Sequence, residues 1–382
     1  MARKISIKAV RHSYYNEPVI VAIDGMEDPK DLGVSLVEIG TGRAIPAQVM
    51  NRQGDCIHLC IVVDALPKGE SREFEIGCSS STTDGVNLID DGKKVEFRIG
   101  GKLFTAYHYV SDLPRPFMFP LIGPGGVNVT RRFPMEKDVP GETSDHKHHR
   151  SLWVAFGDLN GADGWSEEPG HAVTVHKEFL DKSSGPAFGR IKTLNDWLDS
   201  SGNKIMEEER EVIVYNVTEH ARLIDLRVVF KATQGDVRFG DTKEGGIVAI
   251  RVATSMDGNK GGLITNSYGG VTEIETWGKR AHWCDYSGPV ESQTVGITIF
   301  DNPANFRYPT YWHVRDYGLM TANPFALSAY KRDPNVDGSY ILKAGEIFPF
   351  AYRIYIHSGD VIAGNVAEKY HGYINPPVVA VE

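Results

Sequence analysis

The stretch Asp145 to Trp165, DHKHHRSLWVAFGDLNGADGW, concentrates three histidines, one arginine, three aspartates and two tryptophans in one short segment. Imidazoles donate, accept or bind metal, and indole faces carry ring-shaped ligands. A histidine-rich surface loop is the plainer reading, but Trp153 and Trp165 carry too much apolar area for a loose loop. The segment is therefore read as the wall of a pocket. Two further clusters share the mixture. One is GDTKEGG, which places Lys243 and Glu244 before a glycine pair. The other runs from Thr276 to Phe325 and holds His282, Trp283, Asp285, His313 and Arg315.

Three chemistries fit these residues. In the first, a sugar ring stacks on indole while Asn, Asp, Arg and His take its hydroxyls. An imidazole and a carboxylate then move the proton. The second is a metal site: His146 and His148, two apart, face one side if they lie on a strand. No carboxylate follows the pair within a few residues, and Arg150 repels a cation. The third is a set of buried polar networks in a binding protein without catalysis. Glu244 has its own two readings, a solvated hairpin tip or a general base held at a pocket mouth.

Positioning such clusters requires a scaffold, and the pattern is that of an all-β chain. Forty glycines and twenty prolines are spread along 382 residues, marking many turns between short elements. Residues 1–85 read as a small N-terminal β-sandwich, with strands KISIKAV, PVIVAID, VSLVEIG, CIHLCIVVDAL and REFEIG. Ser79 to Gly85 is the expected linker. Residues 86–382 read as a large antiparallel sandwich domain carrying the pocket. Within it Pro114, Pro116 and Pro120 argue for a buried, shaped loop. One short C-terminal helix is expected, capped by Asp360, with Ile362, Val366 and Tyr370 on one face and Gly372 after it.

Lys plus Arg total 41 against 50 for Asp plus Glu, a formal charge of −9, which disfavours nucleic acid as a partner. No apolar run reaches the length of a membrane span or of a signal peptide core, so a cytoplasmic protein is expected. Cys56 and Cys60, four residues apart on one strand, lie about 13 Å apart, beyond disulfide reach. The glycines at 123, 125 and 126 lack the spacing of a phosphate loop.

The motifs DHKHHRSLWVAFGDLNGADGW, GDTKEGGIVAIRVA and NPANFRYPTYWHVRDYGLMTANPF together resemble the "PmoA family", soluble bacterial proteins named as methane oxygenases. The resemblance covers roughly Lys102 to Asp360, and it departs at Lys147, where the family often has proline, and at Phe156, where histidine is frequent. A methane monooxygenase subunit is an integral membrane protein, and this chain has no spanning segment, so methane oxidation is set aside. What the resemblance implies is a β-supersandwich similar to that of galactose mutarotase, a fold of sugar epimerases, polysaccharide lyases and some glycoside hydrolases.

The expected function is thus a carbohydrate-active enzyme working by acid–base chemistry, cleaving a glycosidic bond or epimerising a sugar. Expected catalytic residues are His149 or His313 as acid and Glu244 or Asp285 as base. His146, His148, Arg150, Trp153, Asp158, His282, Trp283 and Arg315 are expected to bind a small sugar or glycoside. No cofactor is expected. The alternatives are a non-catalytic carbohydrate-binding or scaffold protein and a metal-dependent enzyme using a divalent ion at His146 and His148.

Overall fold

The computed structural model describes residues 3–26, 33–79 and 85–382, so the linker expected over 79–85 lies, apart from its two ends, outside the described residues. The chain is all-β, and its described residues form three antiparallel sheets of seven, eleven and eight strands. The seven-stranded sheet runs in the order Tyr14–Asp24, Cys56–Leu66, Ala44–Gln53, Gly33–Glu38, Ser71–Ser79, Lys4–Lys8, Val378–Val381. Its final strand comes from the other end of the chain and pairs Ile5 with Val381.

Strand Cys56–Leu66 shows why its sequence is almost continuously apolar. Ile57, Leu59, Ile61 and Val63 point into the core of the N-terminal sheet. Cys60 and Val62, on the opposite side, pack with Phe188, Tyr215 and Trp283 of the larger part. A strand buried on both faces loses the polar alternation of a half-exposed one.

The eleven- and eight-stranded sheets enclose the main core. Leu152, Val154 and Phe156 of one meet Val212, Ile224, Ile297 and Ile354 of the other within a single apolar cluster. Two expectations change here. The proline-punctuated stretch forms a strand, Phe117–Leu121, which pairs with Lys102–His108 and with Trp153, and its register shifts between Met118 and Leu121. That irregularity accommodates Pro120, which has no N–H for a regular ladder. The C-terminal helix spans Val366–Ile374 with Gly372 inside it, and Ile362 is 82% exposed. Asp360 instead accepts the backbone N–H groups of Ile362 and Ala363 in a preceding turn. Short helices also form at Thr272–Thr276 and Leu327–Lys331.

The central part of the eleven-stranded sheet runs Trp312–Arg315, Leu319–Ala322, Gly245–Arg251, Leu152–Leu159, Phe117–Leu121. Its inner face belongs to the main core. Its outer face carries a separate apolar patch of Phe117, Phe119, Trp153, Ala155, Trp165, Ala249 and Leu319. The polar clusters gather on that outer face.

Candidate active site

Residues 145–149 form turns leading into Leu152–Leu159. The strand that would put His146 and His148 on one side is therefore not formed: His146 has φ 43° and Ser151 φ 61°, both left-handed. Such backbone persists only where the surroundings hold it, and here Arg131 does so. Its guanidinium, wholly buried, pairs with the Asp145 carboxylate and donates to the carbonyls of Asp145, His146 and His149. The turn stacks imidazoles as a result: the His146 ring lies 4.8 Å from that of His149 at 7° and 4.9 Å from that of Tyr317 at 14°.

From strand Trp312–Arg315, alternation sends Trp312 and Val314 into the core and His313 and Arg315 outward. Glu244 arrives on the turn before Gly245–Arg251. Gly245 and Gly246 have φ of 135° and 153°, values L side chains rarely adopt. The buried Asn323 holds this turn by donating to the carbonyls of Thr242 and Gly245. Gly157 lets it approach: a Cβ there would sit 2.2 Å from the Glu244 carbonyl oxygen. Gly157→Ala is expected to cost about 1–3 kcal/mol and to displace Glu244. An unchanged urea midpoint would show that the turn yields freely.

These elements wall one cavity of about 540 Å³, within the range of small-ligand sites. His146, His148, His149, His313, Arg315 and Glu244 line it, and so do Asp163, Trp165, Ser166, Lys243 and Tyr317. His149 is 1% exposed, and its Nδ1 faces Arg251 Nη1 at 3.0 Å. His313 is 3% exposed, and its Nδ1 accepts from Trp277 Nε1 at 3.0 Å. Burial takes the His149 pKa well below its ordinary value, with His148 and Arg251 adding to the effect. Burial also lowers His313 to about 3, helped by Lys243 and Arg315. His148 falls to about 4 through burial, then through Arg115 and His146. Asp163 is held below its usual range: burial works against ionisation, but Ser166 and the N–H of Trp165 outweigh it.

Neutral buried imidazoles make stability depend on pH. The unfolded histidines protonate as pH falls through about 6.5, whereas the folded ones do not until far lower. The unfolded chain therefore binds the extra protons, and full stability holds only above that pH. Below it each fully buried imidazole removes about 1.4 kcal/mol per pH unit. Urea midpoints are expected to drop between pH 7 and pH 5, and His313→Gln to shrink the drop. Equal drops in the two proteins would mean that His313 titrates normally.

The other expected site residues lie outside these walls. Arg150 donates Nε and Nη2 to the two carboxylate oxygens of Glu167, 2.7 Å each. Trp153 backs the cavity, its ring 5.4 Å behind that of His149. Asp158 pairs with Arg238. His282 meets Tyr268 and Tyr308, and Trp283 packs at the junction with the N-terminal sheet. Asp285, fully buried, is bonded to His357 at 2.9 Å and to Thr298 at 2.7 Å. Among the described residues no group of three or more His, Cys, Asp or Glu side chains is arranged to hold a metal ion.

Arg251 and Trp277, which orient the two buried imidazoles, were not among the sequence candidates. Arg251 had a signal, a lone charge inside the apolar strand GGIVAIRVA. Trp277 had none, since only the fold brings it to His313.

Fold and site together define an all-β protein with a histidine-walled cavity on the outer face of the eleven-stranded sheet. The chain belongs to a family of unknown function (DUF6807), whose model matches residues 94–371, a span that contains all three motifs. A search of curated proteins finds no match. Among solved structures the chain is similar to an alpha-mannosidase from Enterococcus faecalis V583, at 9% identity and a TM-score of 0.45, over 100% of this chain and 46% of that one. The chain thus spans about half the length of that structure. No helix among the described residues is long and apolar enough to cross a membrane.

Proposed function

We propose that this protein is a carbohydrate-active enzyme that moves protons in the cavity of His149, His313 and Glu244. The observation that carries the reading is the convergence of those residues, from three separate strands or turns, in one cavity of about 540 Å³. Glu244 is the base. Arg315 and Lys243 take hydroxyls, and Trp165 and Tyr317 offer apolar surface to a ring. Asp163 lines the same cavity but is committed to Ser166 and the Trp165 N–H. A pair of free carboxylates, the usual requirement for glycoside hydrolysis, is therefore not assembled among the described walls. That favours epimerisation over bond cleavage.

A sugar panel tested by thermal denaturation checks the reading. A bound sugar in large excess over its Kd is expected to raise Tm by about 2–5 °C, with a smaller rise in His313→Ala. Failure of every sugar to move Tm would overturn the carbohydrate assignment.

A further inference from the structure

His149 and His313 enter the cavity from different strands or turns, yet they are held in the same way. Each Nδ1 faces a group that only donates, Arg251 Nη1 in one case and Trp277 Nε1 in the other. A guanidinium and an indole N–H have no acceptor capacity. Both Nδ1 atoms are therefore acceptors, and in a neutral ring the hydrogen sits on Nε2. Neither Nε2 makes a hydrogen bond to the described residues, and neither is among the sealed, unpartnered buried nitrogens. Both N–H groups are left for the cavity.

This excludes the two rings as bases at Nε2. Of the two carboxylates that line the cavity, Asp163 is tied to Ser166 and the Trp165 N–H, and Glu244, whose partner is the half-exposed Lys243, is the one left to accept a proton. Two fixed N–H donors, joined by Arg315 and Lys243, favour negative charge developing on an oxygen. They disfavour the cationic, oxocarbenium-like transition state of glycoside hydrolysis. A carboxylate base beside neutral imidazole donors suits removal of a proton from carbon next to a carbonyl.

We propose that the substrate is a sugar with a free carbonyl group and that the site forms its enediolate. The inference rests on the carbohydrate reading above. As the C–H bond next to the carbonyl breaks, a Glu244 oxygen takes the hydrogen. The C–H electron pair becomes the new C=C bond, and the carbonyl π pair moves onto oxygen. That oxyanion is held by the Nε2–H groups of His149 and His313. Glu244 then delivers its proton to the former carbonyl carbon while the neighbouring hydroxyl passes its proton, by way of a histidine Nε2, to the first oxygen, giving an isomer; return to the original carbon gives an epimer only when the planar enediolate has turned its opposite face to Glu244. No oxidant or reductant is required.

The test is proton exchange in D2O, using the full chain with aldoses, ketoses and keto-sugars and following the hydrogen next to the carbonyl by NMR. Exchange with at least one sugar is expected, reduced about 10²-fold or more in Glu244→Gln, with the thermal shift by that sugar retained. In 15N spectra above pH 7, both rings are expected to show the Nε2–H tautomer. No exchange with a sugar that raises Tm, or undiminished exchange in Glu244→Gln, would overturn the enediolate step and leave the carbohydrate reading standing. An Nδ1–H tautomer at either histidine would also overturn it. If no sugar exchanges and none raises Tm, both fall.

Discussion

Glu244→Gln is expected to lower turnover by about 10²–10⁴-fold, the usual worth of a positioned general base, while sugar binding and folding stay close to the parent. The change keeps the side chain's size and removes its negative charge, and with it the capacity to accept a proton. The Glu244 side chain is 49% exposed and paired with Lys243, and such surface pairs contribute about 0–1 kcal/mol. Stability should therefore barely change. Steady-state rates on a sugar found by thermal shift, measured beside urea midpoints for both proteins, separate these effects. Equal turnover in the two proteins would remove Glu244 from the chemistry. A fall in turnover matched by a fall in stability would make its role structural.

Arg353→Ala is expected to have the largest effect on stability, a loss of about 3–5 kcal/mol. Arg353 is 5% exposed and donates to Asp225 at 2.6 and 2.9 Å and to Glu17 at 2.6 Å. Lys369 completes the group, donating to Glu17 at 3.0 Å and to the carbonyls of Tyr15 and Asn16. Two cations thus meet two anions. Glu17 belongs to the N-terminal sheet, Asp225 and Arg353 to the large sandwich, and Lys369 to the C-terminal helix. Truncating Arg353 leaves the buried Glu17 to Lys369 alone and the half-buried Asp225 with only the Tyr215 hydroxyl, and the uncompensated charge carries most of the cost. The double change Glu17→Gln with Arg353→Met should lose less than Arg353→Ala alone, because it removes charge from both sides. A loss below about 1 kcal/mol for Arg353→Ala would show that water reaches the network and relieves it.

Much of the site was legible as residues and little of it as geometry. His146, His148, His149, Glu244, His313 and Arg315 stood out by type and converge on one cavity. Asp285, His282 and Trp283 stood out equally and do not join it. Asp285 lies on strand Trp283–Val290, paired with Gln293–Asp301, and its neighbours there are His357 and Thr298. Its local context, Trp283 to Tyr286, does not tell which sheet its strand joins. Arg150 had the right charge, but Glu167 seventeen residues on binds its Nε and Nη2 edge with both carboxylate oxygens.

What the sequence by itself determined is the all-β class and most strand positions, because side-chain alternation and turn residues act between near neighbours. It also marked which residues carry chemistry. Only the tertiary structure decided on which face of which sheet each one emerges, since strand order and register are set by contacts far apart in the chain. The protonation and tautomer of His149 and His313 were decided the same way. They depend on burial and on Arg251 and Trp277, partners that the pairing of distant strands brings within 3.0 Å.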